Sequence, residues 1–422
     1  MKKKSILSVL AAFVLSCQVC AQAAPPVIGS ESACLMDAQS GQILYEKNAH
    51  TKRPMASITK VMTALLIIEN GDLTAKTTAT AQALATVDAD STRIGFVEGE
   101  NLTVDELMYC MMVYSANDAA NILAAYLDGD VQTFVNRMNE RAKELGCVNT
   151  HFANPNGLDS EGHYSCAEDM ARITYAANAH PEFAKYSGAL TYQLPADNII
   201  PEGWSIGTKV NMYQKTHECY DPRIYAAKTG WTTKARNTFV ACAKSDEAHL
   251  IVSALCAPVK KQIFMDTSAL LDYGEKNYAC VTVLPDDYKE QAEQAAEDIG
   301  YALDTEELTD IQLLLPKSLS ADDLRYVCAA PEHATPYIAV MVSEDCAETY
   351  LTETGMHAEE PLLRVPVKLT EQKRLFVPDR TGSAHADLPQ GQRMAVIAAI
   401  VVGCAALLVV VMRFVTRRKK TK

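Results

Sequence analysis

Short apolar runs near both ends of residues 33–256 are typical of β-strands. Two of these runs, 33–36 and 42–45, flank the turn-forming Gln39-Ser40-Gly41, and this pattern predicts a β-hairpin. Three more strands are predicted later in the chain, over residues 225–228, 237–243 and 249–256.

Between these strands the apolar positions recur with the spacing of α-helices. The first helix is predicted from Ser57 to Glu69, because Pro54 lies just before it and Gly71 just after it. Further helices are predicted over residues 102–114, 119–127 and 131–145. Helices enclosed by strands from both ends of a segment indicate an α+β domain with an antiparallel sheet.

The pattern changes near residue 277. The segment from Pro285 to Asp310 is strongly acidic, and a small β-rich domain is predicted from the short apolar runs that follow, at residues 311–315, 325–328, 337–342 and 362–367. We therefore predict one domain over residues 25–275, a second over residues 277–370 and a polar linker over residues 371–393.

Both termini carry targeting patterns. Three lysines, an apolar stretch and the small residues Ala21-Gln22-Ala23 predict a secretory signal peptide over residues 1–23. Residues 394–412 contain no charged side chain and are long enough for a membrane-spanning helix, and the basic tail 413–422 is expected to stay in the cytoplasm. We expect the body of the protein to lie on the outer face of the membrane.

Composition and charge narrow the classes of function. The chain has 422 residues, with 39 basic and 52 acidic side chains, and residues 25–412 carry a net charge near −22 because basic residues cluster at both termini. The acidic body argues against nucleic-acid binding, and the apolar content of 48 % argues against an intrinsically disordered protein. Ten cysteines lie between Cys34 and Cys346 without metal-ligand spacing, and buried thiols and disulfides both fit this pattern.

Ser57 and Lys60 lie three residues apart at the start of the first predicted helix, so their side chains project from one face. A serine hydroxyl becomes a nucleophile when a base takes its proton, and a lysine can be that base when burial or a neighbouring cation lowers its pKa. Such a pair occurs roughly once by chance in a chain of this length, and two surface residues are the simpler interpretation of the pair alone.

Two further motifs offer complementary chemistry. Ser115 and Asn117 lie between two predicted helices, where the hydroxyl can relay a proton and the amide can hold a lysine and a substrate amide. A helix cap is the alternative explanation of these two residues. Lys228, Thr229 and Gly230 end a predicted strand, and this trio suits a substrate carboxylate docked close to a strand edge, although an ordinary strand end also fits.

In this order and in these contexts, the three motifs resemble the signature of penicillin-binding proteins and serine β-lactamases. Longer segments are similar to the low-molecular-mass D-alanyl-D-alanine carboxypeptidases of peptidase family S11, at residues 55–64, 115–119, 151–158, 163–171 and 227–232. The similarity covers residues 30 to about 258. Ala116 and Arg236 stand where that family usually has glycine, and Arg236 is expected near the cleft mouth, where it would alter substrate preference.

The resemblance implies a fold like the serine β-lactamases and penicillin-binding transpeptidases, with an antiparallel sheet and a helical cluster. A small β-rich domain and one C-terminal transmembrane helix would follow, on the extracytoplasmic face of the bacterial cell membrane. The implied reaction removes the terminal D-alanine of peptidoglycan stem peptides through an acyl-enzyme, during cell-wall synthesis and remodelling. β-Lactam antibiotics would be covalent inhibitors of this reaction.

The resemblance also implies the roles of the motif residues. Ser57 would be the nucleophile, Lys60 its general base and Ser115 a proton relay, and Asn117 would orient the acyl side of the substrate. Lys228 and Thr229 would bind the terminal carboxylate beside Gly230, and the backbone amides of Ser57 and Trp231 would form the oxyanion hole. No metal or organic cofactor is implied, and His151 and His163 are expected to shape a loop.

Two other classes of protein share part of this pattern. A class A β-lactamase would need a deacylating glutamate, usually within an E-x-x-L-N segment, and no such segment lies between the second and third motifs. A catalytically idle, membrane-held scaffold or wall-binding protein is the second alternative, and the complete set of motifs argues against it.

Overall fold

The structure, a computed structural model, describes residues 25–331, 335–356 and 358–371. The predicted signal peptide, membrane helix and basic tail lie outside these residues. In the described ranges no helix combines the length and the apolar character that a membrane span requires. The predicted domain boundaries stay predictions.

The strands of the described chain, numbered in chain order, are β1 Ser32–Asp37, β2 Ile43–Lys47, β3 Lys76–Thr78, β4 Asn101–Thr103, β5 Thr191–Leu194, β6 Trp204–Gly207, β7 Ile224–Thr232, β8 Arg236–Lys244, β9 His249–Ala257, β10 Tyr278–Val283, β11 Tyr301–Leu303, β12 Ile311–Pro316, β13 Leu324–Ala329, β14 Tyr337–Val342, β15 Leu363–Pro366 and β16 Leu369–Glu371. The helices are α1 Lys60–Asn70, α2 Ala81–Leu84, α3 Val104–Tyr109, α4 Asn117–Asp128, α5 Val131–Glu144, α6 Ala167–Asn178, α7 Pro181–Ser187, α8 Lys260–Asn277, α9 Pro285–Asp298 and α10 Ala347–Thr354.

The central sheet is antiparallel throughout, with strand order β2-β1-β9-β8-β7. Alternate residues of a strand face opposite sides of a sheet. Cys34 and Met36 of β1 therefore pack into one buried cluster, whereas Ala33 and Leu35 pack into another. Helix α6 covers the first face and α8 the second, so the sheet is buried on both sides.

Helix α1 lies inside the helical cluster on the first face. Every residue from Lys60 to Ile67 is buried, which explains why this helix is apolar on nearly all sides. Helix α5 is amphipathic instead, and its buried residues Phe134, Val135 and Met138 share one face. The rigid, buried α1 fixes the position of whatever lies at its first turn.

The structure confirms the predicted hairpin, as β1 and β2, and the three later strands, with β7 longer than expected. The helix predicted over residues 102–114 is interrupted. It consists of the end of β4, then α3, then a π-type turn over Cys110–Tyr114. This turn ends at Ser115 with a left-handed backbone, φ +68°.

The region after residue 278 has a buried core of its own, which includes Tyr288, Leu313 and Val340. Strands occupy the four predicted apolar runs, and β13, β14 and β15 form one antiparallel sheet. The acidic segment also contains a helix, α9, that the sequence did not predict, beside the strands of this region. The ten described cysteines are free thiols.

Candidate active site

Ser57 lies in a 3₁₀ turn, Ala56–Thr59, that leads directly into α1. Strand β8 holds this turn, because Thr238 Oγ1 donates to Met55 O at 2.8 Å. Ala56 has a φ of +50°, a backbone conformation that persists only where neighbours enforce it. The nucleophile candidate is therefore fixed by packing from both sides of the turn.

Lys60 lies one turn later, with no exposed surface, and its ammonium has three oxygen partners. The Nζ–O distances are 2.9 Å to Ser57 Oγ, 2.6 Å to Asn117 Oδ1 and 2.5 Å to the carbonyl oxygen of Asn156. Carbonyl oxygens only accept hydrogen bonds. When Lys60 is neutral, its two N–H bonds therefore serve the two carbonyls, and its lone pair faces the Ser57 hydroxyl.

The electrostatic surroundings favour this neutral state. Burial lowers the pKa of Lys60 well below its ordinary value, and the charges of Lys228 and Lys209 lower it further. Asp118 opposes this shift but does not cancel it. In the part of the chain that the structure describes, no carboxylate lies within 4 Å of the Lys60 ammonium to restore its charge. Lys60 thus meets the two requirements of a general base, proximity and a lowered pKa.

Ser115 and Lys228 form a second hydroxyl–amine pair. Lys228 Nζ lies 2.9 Å from Ser115 Oγ and 2.9 Å from the carbonyl oxygen of Thr229. The Lys228 side chain is buried, and burial together with the charges of Lys209 and Lys260 lowers its pKa to about 7. Ser115 makes this contact from a left-handed backbone conformation, with a φ of +68°.

Strand β7 passes the nucleophile at close range through Gly230. A Cβ on Gly230 would lie 2.8 Å from the backbone nitrogen of Ser57 and 2.3 Å from Thr238 Oγ1. Only glycine leaves room for the Ser57 turn at this position. Trp231, the next residue, is 66 % exposed, so the rim of the site carries a large apolar side chain that is free to contact a ligand.

Two clefts meet at Ser57 and Trp231. The larger cleft, of about 950 Å³, is lined by Asn117, Asn156 and several aspartates and hydroxyl residues. The smaller cleft, of about 350 Å³, is lined by Ser115 and Thr229 among others. A peptide that crosses Ser57 can therefore place one part in each cleft.

The structure brings all eight predicted site residues together around these clefts, from three separate segments: Ser57, Lys60, Ser115, Asn117, Lys228, Thr229, Gly230 and Trp231. Sequence reasoning missed the contribution of Asn156, because a backbone carbonyl leaves no signature in the side chains. The loop that carries it is anchored by Thr63, which donates to the carbonyl oxygen of Pro155 at 2.6 Å.

His163 supports the nucleophile's turn from below. The Ala153 amide donates to His163 Nδ1 at 3.0 Å, so the ring proton lies on Nε2, which donates to Thr59 Oγ1 at 2.9 Å. The Thr59 hydroxyl in turn donates to the carbonyl oxygen of Ala56 at 2.8 Å. Burial lowers the pKa of His163 to about 4, so the ring is neutral at neutral pH and these three hydrogen bonds are kept.

The two departures from the family pattern lie in different places. Ala116 is fully buried and directly precedes α4. Arg236 begins β8 with a φ of +56°, a conformation that suits glycine, and it lines neither of the two clefts. Its strand partner Thr232 lines the larger cleft and its neighbour Asn237 lines the smaller one, so an effect of Arg236 on substrate preference stays a prediction.

The site joins Ser57 with the buried base candidate Lys60, a second serine–lysine pair and an asparagine, on an antiparallel sheet with a helical cluster. This arrangement is typical of the penicillin-binding class of serine acyl-transfer enzymes. The sequence profile of the D-alanyl-D-alanine carboxypeptidases, peptidase family S11, matches residues 19–258. This match covers more than half of the chain, and the chain belongs to that family.

Relatives and solved structures agree with this assignment. The D-alanyl-D-alanine carboxypeptidase DacF of Bacillus subtilis is 32 % identical over 254 residues, which are 59 % of this chain and 63 % of DacF. The chain thus spans less than two thirds of that relative. A D-alanyl-D-alanine carboxypeptidase structure from Mycobacterium tuberculosis is 29 % identical, with a TM-score of 0.54 over 60 % of this chain and 94 % of its own.

A third comparison extends further along the chain. The crystal structure of penicillin binding protein 6B from Escherichia coli covers 77 % of this chain and 95 % of its own, with a TM-score of 0.60. At 24 % identity this likeness concerns the fold alone. The catalytic region therefore has the mixed helix-and-sheet fold of the penicillin-binding proteins.

Proposed function

We propose that the chain is a serine-type D-Ala-D-Ala carboxypeptidase that removes the terminal D-alanine from peptidoglycan stem pentapeptides. One observation carries the proposal: in a chain of the S11 family, the wholly buried Lys60, with its lowered pKa, lies 2.9 Å from Ser57 Oγ. A cleft opens on each side of this pair, as a peptide substrate requires.

Acylation begins at the contact between Lys60 and the Ser57 hydroxyl. Lys60 accepts the proton of Ser57, and Oγ bonds to the carbonyl carbon of the penultimate D-alanine. The oxygen of that carbonyl becomes an oxyanion that the backbone amides of Ser57 and Trp231 stabilise. The C–N bond then breaks, and the proton that Lys60 took reaches the leaving amine through the Ser115 hydroxyl. Free D-alanine departs, an ester remains on Ser57, and Lys60 and Ser115 return to their starting protonation states.

Deacylation uses the same base. A water molecule attacks the ester carbonyl while Lys60 takes its proton, the bond to Ser57 Oγ breaks, and Oγ recovers a proton. The shortened peptide leaves with a new carboxylate. A β-lactam would acylate Ser57 by the first half of this sequence, with its ring amide in place of the peptide bond.

The clefts suggest how the peptide lies. Asn117 lines the larger cleft, where its amide suits the acyl side of the peptide. Thr229 and Gly230 line the smaller cleft, which suits the terminal residue and its carboxylate. Lys228 contributes its positive charge from behind Ser115.

D-Alanine release from a peptide that ends in D-Ala-D-Ala tests the proposal. We expect the full chain, purified in detergent, to release D-alanine, and Ser57→Ala to reduce the rate at least about 1000-fold, because the nucleophile is lost. Ser205→Ala, at an exposed serine on β6, is the matched control and should keep the rate of the unchanged chain.

Two results would favour the other classes. Rapid turnover of benzylpenicillin without D-alanine release would indicate a β-lactamase. A β-lactamase of this class would use a glutamate for deacylation. In the described chain Lys60 contacts the carbonyl oxygen of Asn156 and no carboxylate, which disfavours this outcome. A folded chain with neither activity, whose cellular phenotype survives Ser57→Ala, would be a scaffold.

We also propose, from the sequence alone, that the protein is exported and held on the extracytoplasmic face of the bacterial cell membrane by residues 394–412. The mature full chain should sediment with membranes and be accessible to protease from outside the cell. A chain that ends at residue 393 should be released. Retention of that shortened chain on the membrane would contradict the anchor.

A further inference from the structure

The smaller cleft carries two lysines that belong to none of the sequence motifs. Its walls include Ser115 and Thr229, and also Lys209 and Lys260. Lys209 follows β6, and Lys260 is the first residue of α8. Since Ser57 lines the same cleft, a group bound beside these lysines lies next to the bond under attack.

Lys228, the cation of the third motif, is less available to a ligand. Its side chain is 2 % exposed, and its ammonium donates to Ser115 Oγ and to the carbonyl oxygen of Thr229. It does not belong to the cleft wall. A carboxylate that enters from solvent therefore reaches Lys209 before it reaches Lys228.

The Lys209 ammonium makes its contacts with neutral groups, while the nearby charge of Lys260 repels it. It donates to Thr92 Oγ1 at 3.1 Å and lies 4.8 Å from the centre of the Tyr114 ring. Within the described ranges no carboxylate lies within 4 Å of it, although the side chain is half-buried. A partly buried cation without a counter-ion is costly, and an anionic ligand removes that cost.

Lys260 fixes the position of Lys209. Its ammonium donates to the backbone carbonyl oxygen of Lys209 at 2.8 Å and to Asn211 Oδ1 at 3.2 Å. The start of α8 thus holds the segment that carries Lys209 against the cleft. The ammonium of Lys209 is placed in advance of binding, which is the condition for an effective charge contact.

We propose that Lys209 makes the direct ion pair with the terminal carboxylate of the substrate, and that Lys228 acts mainly by orienting Ser115. This inference rests on the proposed carboxypeptidase function and assigns a specificity residue to it. The substrate class that follows is a peptide with a free C-terminal carboxylate. A peptide whose C-terminus is amidated would lose the contact with Lys209.

The test compares two substrates on each variant of the full chain: a peptide ending in D-Ala-D-Ala and the same peptide with a C-terminal amide. We expect Lys209→Met to lower kcat/KM for the free acid roughly tenfold to a hundredfold, the usual range for a lost charge-assisted hydrogen bond. The rate for the amide should change less than about threefold, since that substrate has no charge to lose. Lys209→Arg should keep most of the preference for the acid.

Lys261→Met is the matched control, because Lys261 neighbours Lys260 but pairs with Glu218 outside the cleft. It should leave the acid-to-amide ratio unchanged. An unchanged ratio in Lys209→Met would overturn the inference, as would an equal loss for both substrates, which indicates a structural role. D-Alanine release by the unchanged chain, measured in the same experiment, reports on the carboxypeptidase function separately.

Discussion

Replacing Gly157 by alanine tests how closely the loop over residues 154–157 supports the nucleophile. Gly157 has a φ of +90°, and its Cα faces the backbone of the Ser57 turn. An added Cβ would lie 2.1 Å from the carbonyl oxygen of Ala56 and 2.9 Å from the nitrogen of Ser57. Ordinary contact begins at 3.4 Å, so the turn or the loop must move by about 1.3 Å.

Such a movement acts on the reacting atoms directly. The carbonyl oxygen of the neighbouring Asn156 holds Lys60, and the displaced Ala56 carries Ser57. A misplacement of about 1 Å at a reacting group costs about 100-fold in rate. We therefore expect Gly157→Ala to lower kcat/KM for D-alanine release by about 100-fold, and to slow acylation by a fluorescent penicillin to the same extent.

Gly162→Ala is the matched control. Gly162 has a similar φ of +75°, but a Cβ there would meet only the His151 ring, at 3.6 Å or more. Both variants carry the penalty of a left-handed backbone, about 1–2 kcal/mol, and both should melt at lower temperature. Only Gly157→Ala should lose activity when both are assayed below their melting points. Equal kcat/KM values for the two variants would contradict the proposed support of Ser57 by this loop.

Three further predictions concern charge and backbone. The pH profile of kcat/KM should rise as Lys60 loses its proton at its lowered pKa. It should fall near pH 7 as Lys228, with a pKa of about 7, loses the charge that orients Ser115. Asn117→Asp puts a carboxylate 2.6 Å from the Lys60 ammonium and should raise the pKa of Lys60. The acid limb of the pH profile should therefore move to higher pH by about 1–3 units. An unmoved limb would mean that Lys60 is not the base. Arg236→Gly should raise the free energy of unfolding by about 0.5–1 kcal/mol, because glycine adopts a φ of +56° without strain. Its kcat/KM should stay within about twofold, and a large change in KM would mean that Arg236 contacts the substrate.

Local patterns were enough to predict the elements that carry the motifs. Ser57 and Lys60 are close because they are three residues apart on one helical start, and Lys228 to Gly230 end up in a strand because the run before them is apolar. The contact between Ser115 and Lys228 spans 113 residues. No periodicity indicates such a contact, and it could be expected only from the resemblance to a known family.

Three features were not predicted, because the sequence carries no signal or only a weak one for each. The Asn156 contact uses a backbone carbonyl, which every residue possesses. Lys209 follows a short strand and acquires its position from Lys260, 51 residues later, so neither lysine is recognisable alone. Helix α9 did carry signals, with Pro285 at its start and acidic residues in its first turn. Its buried face, however, is made largely of alanine, which gives a weak apolar pattern.

The central claim is that Ser57, activated by Lys60, is the residue that becomes acylated during D-alanine release. Treating the full chain with benzylpenicillin, digesting it and locating the adduct by mass spectrometry tests this claim most directly. The account predicts one adduct, on the peptide that contains Ser57, and loss of D-alanine release in proportion to its formation. An adduct on a different residue, or D-alanine release that continues with Ser57 fully modified, would contradict it.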